Sequence, residues 1–175
     1  MKVFETGFEG LILIEPQQFE DNRGAFYESW RDMDYKKIGI EEKFLQDNVS
    51  VSKKNVLRGL HYRKNQGQLV TVTYGKIFDV VVDVNPESCT YKKYFSIELD
   101  AEKPKQLYMS PGFAHGFCVL SDLVIVNYKC TQYYKSDQES GIIWDDPGIG
   151  IEWPNKQFVI SEKDLNFKQL EKIRT

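Results

Sequence analysis

Apolar and polar residues alternate over short stretches of this chain, and turn-forming residues separate the stretches. Gly10–Pro16 (G-L-I-L-I-E-P) is a compact apolar run ended by proline, the pattern of a buried strand. Asp21-Asn22-Arg23-Gly24 has turn chemistry, because Asn and Gly tolerate positive φ, and Ala25–Trp30 resumes an extended pattern, so Arg23 and Glu28 flank a hairpin. Between Arg31 and Glu42 the period of two is lost. Met33, Lys36, Lys37 and Ile38 there suit a short helix ending at Gly39. From Phe44 onward F-L-Q-D-N-V-S-V-S alternates again and puts Gln46, Asn48 and Ser50 on one face, which lines a polar pocket in any barrel that turns this face inward.

Lys53-Lys54-Asn55 makes the next turn and opens the stretch Asn55–Val70, an apolar, β-prone run that carries Arg58 and ends its first half on His61. Leu69–Tyr74 and Lys76–Val84 read as two strands joined at Gly75. Tyr94–Leu99, Gln106–Met109, Gly116–Leu120 and Val124–Cys130 continue the series, with turn signals at Lys103-Pro104, Pro111-Gly112 and Ser121-Asp122. Many short strands at regular spacing predict an all-β antiparallel sandwich or barrel. Beyond Thr131 the pattern becomes irregular, and Ser161–Ile173 has a serine cap, Glu162 and apolar spacing suited to a C-terminal helix. No repeat or linker interrupts the chain, so residues 1–175 are read as one domain.

Composition narrows the partners. A net charge of -3 and a pI near 5.5 provide no basic field for a nucleic acid, so a phosphate partner must be a small ligand held by a few local cations. No apolar run approaches the ~20 residues that cross a bilayer, and Glu5 and Glu9 stand where a signal peptide has its apolar centre; the expected location is cytoplasmic. Cys89, Cys118 and Cys130 are odd in number and form no C-x-x-C pair, which marks them as buried or idle thiols.

Proton chemistry has few candidates, because the chain holds only two histidines. His61 suits a general base, with Arg58 three residues away, or else a hydrogen-bonded wall residue at a strand end. His115, in P-G-F-A-H-G-F, is equally a ligand contact or a buried turn histidine. Neither belongs to an H-x-H pair, so no metal is expected. Tyr128, Tyr133 and Tyr134 are by default barrel aromatics. Arg23, Arg58 and Arg63 are by default surface cations, yet a diphosphate pocket needs such forked donors.

The segments F-E-D-N-R-G-A-F-Y-E-S at 19–29, F-L-Q-D-N-V-S-V-S-K-K-N-V-L-R-G-L-H at 44–61, P-G-F-A-H-G-F at 111–117, Y-K-C-T-Q-Y-Y at 128–134 and W-D-D-P-G-I-G-I-E-W-P at 144–154 resemble the dTDP-4-dehydrorhamnose 3,5-epimerase family in order and over nearly the whole chain. The resemblance implies a cupin-type jelly roll (a double-stranded β-helix) with a short N-terminal hairpin and a C-terminal helical segment. It also implies a homodimer with an exchanged strand, no cofactor or metal, and a nucleoside-diphosphate 4-keto sugar as substrate. Matched by motif, His61 resembles the base, Asp164 in S-E-K-D its carboxylate partner and Tyr128 the acid across the ring. Arg23, Glu28, Gln46, Asn48, Arg58, His115 and Tyr134 resemble substrate-binding residues.

Two positions depart from the family. Gln68 stands where G-K-L-V has a lysine near the C4 oxygen, with Lys64 in the preceding shortened loop as a candidate replacement, and Asn85 stands where an arginine is usual. The expectation is therefore an epimerase acting at C3, C5 or both on a 4-keto-6-deoxyhexose or a related heptose, in surface-polysaccharide biosynthesis, with Gln68 among its substrate contacts. A 3,4-ketoisomerase on the same fold and a non-catalytic sugar-nucleotide binder are the alternatives.

Overall fold

The computed structural model describes residues 1–135 and 140–172. Two antiparallel sheets face each other. One contains, in spatial order, β1 (Lys2–Glu5), β2 (Leu11–Glu15), β10 (Gln106–Met109), β7 (Gln68–Tyr74), β12 (Leu123–Cys130) and β5 (Gln46–Lys53). The other runs β13 (Ser140–Gly141), β6 (Leu57–Tyr62), β11 (Phe113–Val119), β8 (Lys76–Asp83) and β9 (Tyr94–Asp100). A separate hairpin joins β3 (Gln18–Asp21) to β4 (Gly24–Tyr27) through the turn expected at Asn22-Arg23. Consecutive strands repeatedly cross between the two sheets, β7 to β8 at Gly75 among them, and this makes the all-β architecture a jelly roll.

The layers follow from which faces must be covered. Between the sheets lie Leu11, Leu13, Val70, Val72, Ile77 and Val81 with their neighbours. β8 is apolar on both faces: Ile77 and Val81 point to that interior, whereas Val80 and Val82 pack on the other side against Leu60, Ile142, Leu170 and Trp153. The C-terminal third is thus the cover that the unbroken I-F-D-V-V-V run requires, since an apolar face left in water costs about 25 cal/mol per Å². A third cluster seats Tyr35 of α1 (Asp32–Lys36) and Ile40 against Ile14, Leu69 and Tyr108.

Three local expectations need correction. β11 begins at Phe113, not Gly116, because Asp83 of β8 pairs with Phe113 directly after the Pro111-Gly112 turn. A strand at Lys2–Glu5, paired to β2 although exposed, was not anticipated. The helix expected over Ser161–Ile173 is one turn, α2 (Glu162–Leu165), capped by Ser161 as anticipated, followed by a separate 3-10 turn at Leu170–Lys172. Tertiary hydrogen bonds interrupt it: Ile143 N–H donates to Lys168 O at 3.0 Å and Leu170 N–H to Asp146 Oδ2 at 2.7 Å, so these residues bond to the segment after β13 instead of a helix ladder. Ile173 lies outside the described residues.

Candidate active site

β6 and β11 approach unusually closely in mid-strand. Gly59 has φ +126, and a Cβ there would stand 2.6 Å from Gly116 Cα and 2.9 Å from His115 O. Both strands therefore need glycine at the crossing, and the register shifts between His115 and Phe117. The shift leaves His61 directly opposite His115 in the ladder.

His61 Nε2 and Asp164 Oδ1 are 2.8 Å apart, although 103 residues separate them. Asp164 sits on α2, whose Ser161 hydroxyl accepts from its backbone N–H, and its second oxygen accepts from Gly59 N–H at 3.1 Å. Asp164 is 4% exposed. Burial by itself raises this carboxyl, but the hydrogen bond and charge of His61, with the Gly59 amide and Ser161, outweigh it and hold Asp164 below the ordinary aspartate value. An ionised carboxylate only accepts, so Nε2 carries the proton and Nδ1 is left as the basic nitrogen of His61.

The cleft at this end of the sandwich holds about 390 Å³, enough for a small organic ligand. His61, His115 and Arg58 line it from the five-stranded sheet, with Tyr128 and Gln68 on the facing sheet and Arg63 on the loop after β6. Arg58 donates from Nε to Ser52 Oγ at 2.9 Å. His115 lies within β11, with its Nε2 2.8 Å from Asp79 Oδ2, so it is a strand residue of the wall and not a turn histidine. Asp79 is fully buried, and its Oδ1 has no hydrogen-bond partner among the described residues.

Gln46 and Asn48 share their face of β5 with Ser50, which lines the cleft. Gln46 Nε2 donates to Asn48 Oδ1 at 2.8 Å, Asn48 Nδ2 to Cys130 Sγ at 3.4 Å, and Gln46 Oε1 accepts from Tyr134 N–H at 2.8 Å. The Tyr134 ring lies 4.6 Å from the guanidinium carbon of Arg63, whose Nη1 donates to Gln66 at 2.9 Å. Arg63 thus faces the cleft, whereas Lys64, proposed for that duty from its place in the loop, is exposed and does not line it.

Arg23 and Glu28 do not reach this cleft within the chain. Arg23 is at the exposed tip of the β3–β4 hairpin, bonded to Asp21, and Glu28 lines a second cavity with Arg31, Asp34 and Tyr35. Sequence reasoning gave no role to Asp79, Gln66, Phe167 or Gly141. The aspartate in I-F-D-V-V-V was a usable signal, because a carboxylate in an apolar run is costly unless paired.

Burial raises the Cys130 thiol to about 11, with Arg63 and Asn48 pulling the other way, and raises Cys118 to about 12. Both stay protonated near neutral pH. All three cysteines are free thiols, and among the described residues no three His, Cys, Asp or Glu side chains converge on a metal-sized site.

Fold and cleft together put the molecule among the jelly-roll isomerases, enzymes that move protons on a bound substrate. Comparison with known proteins narrows the class. The family model of dTDP-4-dehydrorhamnose 3,5-epimerase matches residues 5–172, and the chain belongs to that family. It is 46% identical to the dTDP-4-dehydrorhamnose 3,5-epimerase of Methanothermobacter thermautotrophicus, over 97% of this chain and 94% of that protein. The crystal structure of a dTDP-6-deoxy-D-glucose-3,5-epimerase from Legionella pneumophila, in complex with dTDP-4-keto-L-rhamnose, superposes with a TM-score of 0.96 at 42% identity, covering 99% of this chain and 94% of that one. ChmJ, a 3'-monoepimerase from Streptomyces bikiniensis solved with dTDP-quinovose, aligns at a TM-score of 0.89 and 31% identity, over 94% of this chain and 85% of its own.

Proposed function

We propose that this chain removes a proton from C3, C5 or both of a dTDP-linked 4-keto-6-deoxyhexose and returns one on the opposite face of the ring. A C4 ketone acidifies both neighbouring carbons. The C–H proton passes to His61 Nδ1, the bonding pair moves into an enolate at the C4 oxygen, and the Asp164 carboxylate stabilises the imidazolium so formed. The Tyr128 hydroxyl then delivers a proton to the carbon from the facing sheet, and solvent restores both groups. The observation that carries this reading is the His61–Asp164 contact in a cleft whose opposite wall bears Tyr128. The dTDP linkage follows the nucleotide sugars named for the relatives.

Gln68 favours a second reading, inversion at one carbon alone. A neutral amide donates a hydrogen bond to the enolate but adds no charge, and a well-placed oxyanion donor contributes about 3 kcal/mol. Incubation with dTDP-4-keto-6-deoxyglucose in D2O tests both readings. Deuterium at C3 and C5 with inversion supports the double epimerase and deuterium at one carbon the single-site enzyme; no exchange would remove the enzymatic reading. Tyr128→Phe is expected to keep exchange but lose inverted product, which NMR of the product checks.

The enzyme is further read as a cytoplasmic homodimer in which Arg23 and Glu28 serve the cleft of the neighbouring subunit. Phe19 and Phe26 on the same hairpin are 61% and 65% exposed, more apolar area than an unpartnered hairpin normally presents. No helix among the described residues is long and apolar enough to cross a membrane. Mixing Arg23→Ala with His61→Asn subunits should restore activity that each lacks alone, through the one cleft in each mixed dimer that has both residues; no restoration would break the shared-site reading.

A further inference from the structure

Phe167 is three residues beyond Asp164, on the segment that delivers the carboxylate, and the proton transfer itself has no use for it. Its ring centroid is 5.6 Å from the imidazole of His61, with the planes at 80°. It reaches that place because residue 141 has no side chain: a Cβ built on Gly141 would stand only 2.2 to 2.4 Å from three Phe167 ring carbons, a steric overlap. Gly141 is also the strand partner of His61 in the β13–β6 pair. The ring therefore rests on the backbone directly beside the histidine.

Both flanks of Phe167 are fixed. Before it, the backbone N–H of Phe167 donates to Asp164 O at 3.4 Å and closes the turn that holds the carboxylate. After it, Lys168 bridges to Ile142 and Leu170 N–H binds Asp146 Oδ2. A half-buried ring held in this way has little freedom to withdraw.

An imidazole tied by one ring nitrogen is under-determined. Its χ2 torsion is broad and roughly two-fold, so one hydrogen bond to Asp164 opposes turning over but leaves the ring free to tilt about that contact until the bond breaks. A flip exchanges the nitrogens for carbons and removes the lone pair from the cleft. A perpendicular aromatic neighbour in an edge-to-face arrangement limits that rotation by contact and by quadrupole attraction.

We propose that Phe167 is a positioning residue for His61, seated on Gly141 and holding the imidazole with Nε2 on Asp164 and Nδ1 available to substrate. This rests on the reading of His61 as the base. Phe167 touches no cleft volume itself, so its loss should lower turnover and leave substrate affinity in place.

The first measurement is kinetic. Phe167→Ala should lower kcat for solvent exchange about tenfold, as a small misplacement of a reacting group does, with KM within about twofold of the parent. Phe167→Tyr should restore kcat, because it rebuilds the ring. Phe167→Leu keeps buried volume without the aromatic plane and serves as the test if the alanine variant does not fold. The second measurement needs no substrate: long-range 1H–15N NMR of histidine-labelled free protein, in which His115 is the internal control. The parent should show His61 in one tautomer with the proton on Nε2, and the alanine or leucine variant should show averaged nitrogens. An unchanged tautomer in the variants, or a kcat loss matched by a loss of folded protein, overturns the proposal. A tautomer change in the variants of a protein that exchanges no sugar proton would uphold the positioning role and reject the enzymatic reading instead.

Discussion

Two histidine–aspartate pairs face each other across β6 and β11, each with a 2.8 Å contact, yet they are not equivalent. The side chain of His61 is 34% exposed and that of His115 12%. Asp164 comes from a one-turn helix over a hundred residues away, and both of its oxygens are engaged, by His61 and by Gly59 N–H. Asp79 comes from the adjacent strand, fully buried, with Oδ1 unsatisfied among the described residues. Contact distance alone therefore does not make a base. A proton acceptor needs a counter-charge that is itself fully solvated by the protein, and a ring nitrogen open to the substrate. By that criterion we read His61 as the base and His115 as a wall group bonded to Asp79.

The sharpest way to break this contrast is to remove each imidazole in turn. His61→Asn is expected to lose solvent exchange by about 10³-fold, in the range of general acid–base catalysis. His115→Asn should lose about tenfold, mostly in KM, as a binding contact does. Equal losses measured by deuterium incorporation would erase the difference. Asp164→Asn should cost about 10²-fold in kcat, because the amide cannot stabilise the imidazolium.

The two carboxylates also differ in stability. Asp164 is held below the usual aspartate value of 3.8. A depressed folded value means that its stabilisation is present above the unfolded value and is lost as the pH falls through the folded one. Acid unfolding followed by circular dichroism should therefore show a contribution that disappears below about pH 4, and Asp164→Asn should remove that part of the pH dependence. In urea at neutral pH, Asp164→Asn should cost about 2 kcal/mol, since one of two buried partners loses its acceptor. Asp79→Asn should cost less, about 1 kcal/mol, because the parent already leaves an oxygen unpaired. A larger loss at Asp79 would reverse the order.

Much of this was readable residue by residue. Alternation placed Gln46, Asn48 and Ser50 on one face, and in the structure that face is the less exposed side of β5, while Val49 and Val51 are exposed and line the cleft together with Ser50. The turn at Asn22-Arg23 and the serine cap at residue 161 were set by local chemistry alone. His61 stood out through scarcity, and Asp164 and Tyr128 through motif resemblance, since no spacing rule joins them. The expected C-terminal helix failed because Lys168 O accepts from Ile143 N–H and Leu170 N–H donates to Asp146, an outcome that no window of thirteen residues contains.

The sequence by itself determined the strands, the turns, the all-β class and the residue types fit to move a proton, because each depends on neighbours within a few positions. Only the tertiary structure decided which of them meet. Covering the outer face of β8 draws the C-terminal segment across the five-stranded sheet, and that burial carries Asp164 to His61 and seats Phe167 on Gly141. The placement of the β3–β4 hairpin and of α1 leaves Arg23 and Glu28 outside the cleft of their own chain. Such meetings are set by the cost of leaving apolar surface in water, summed over the whole core, and a local pattern holds no record of that sum.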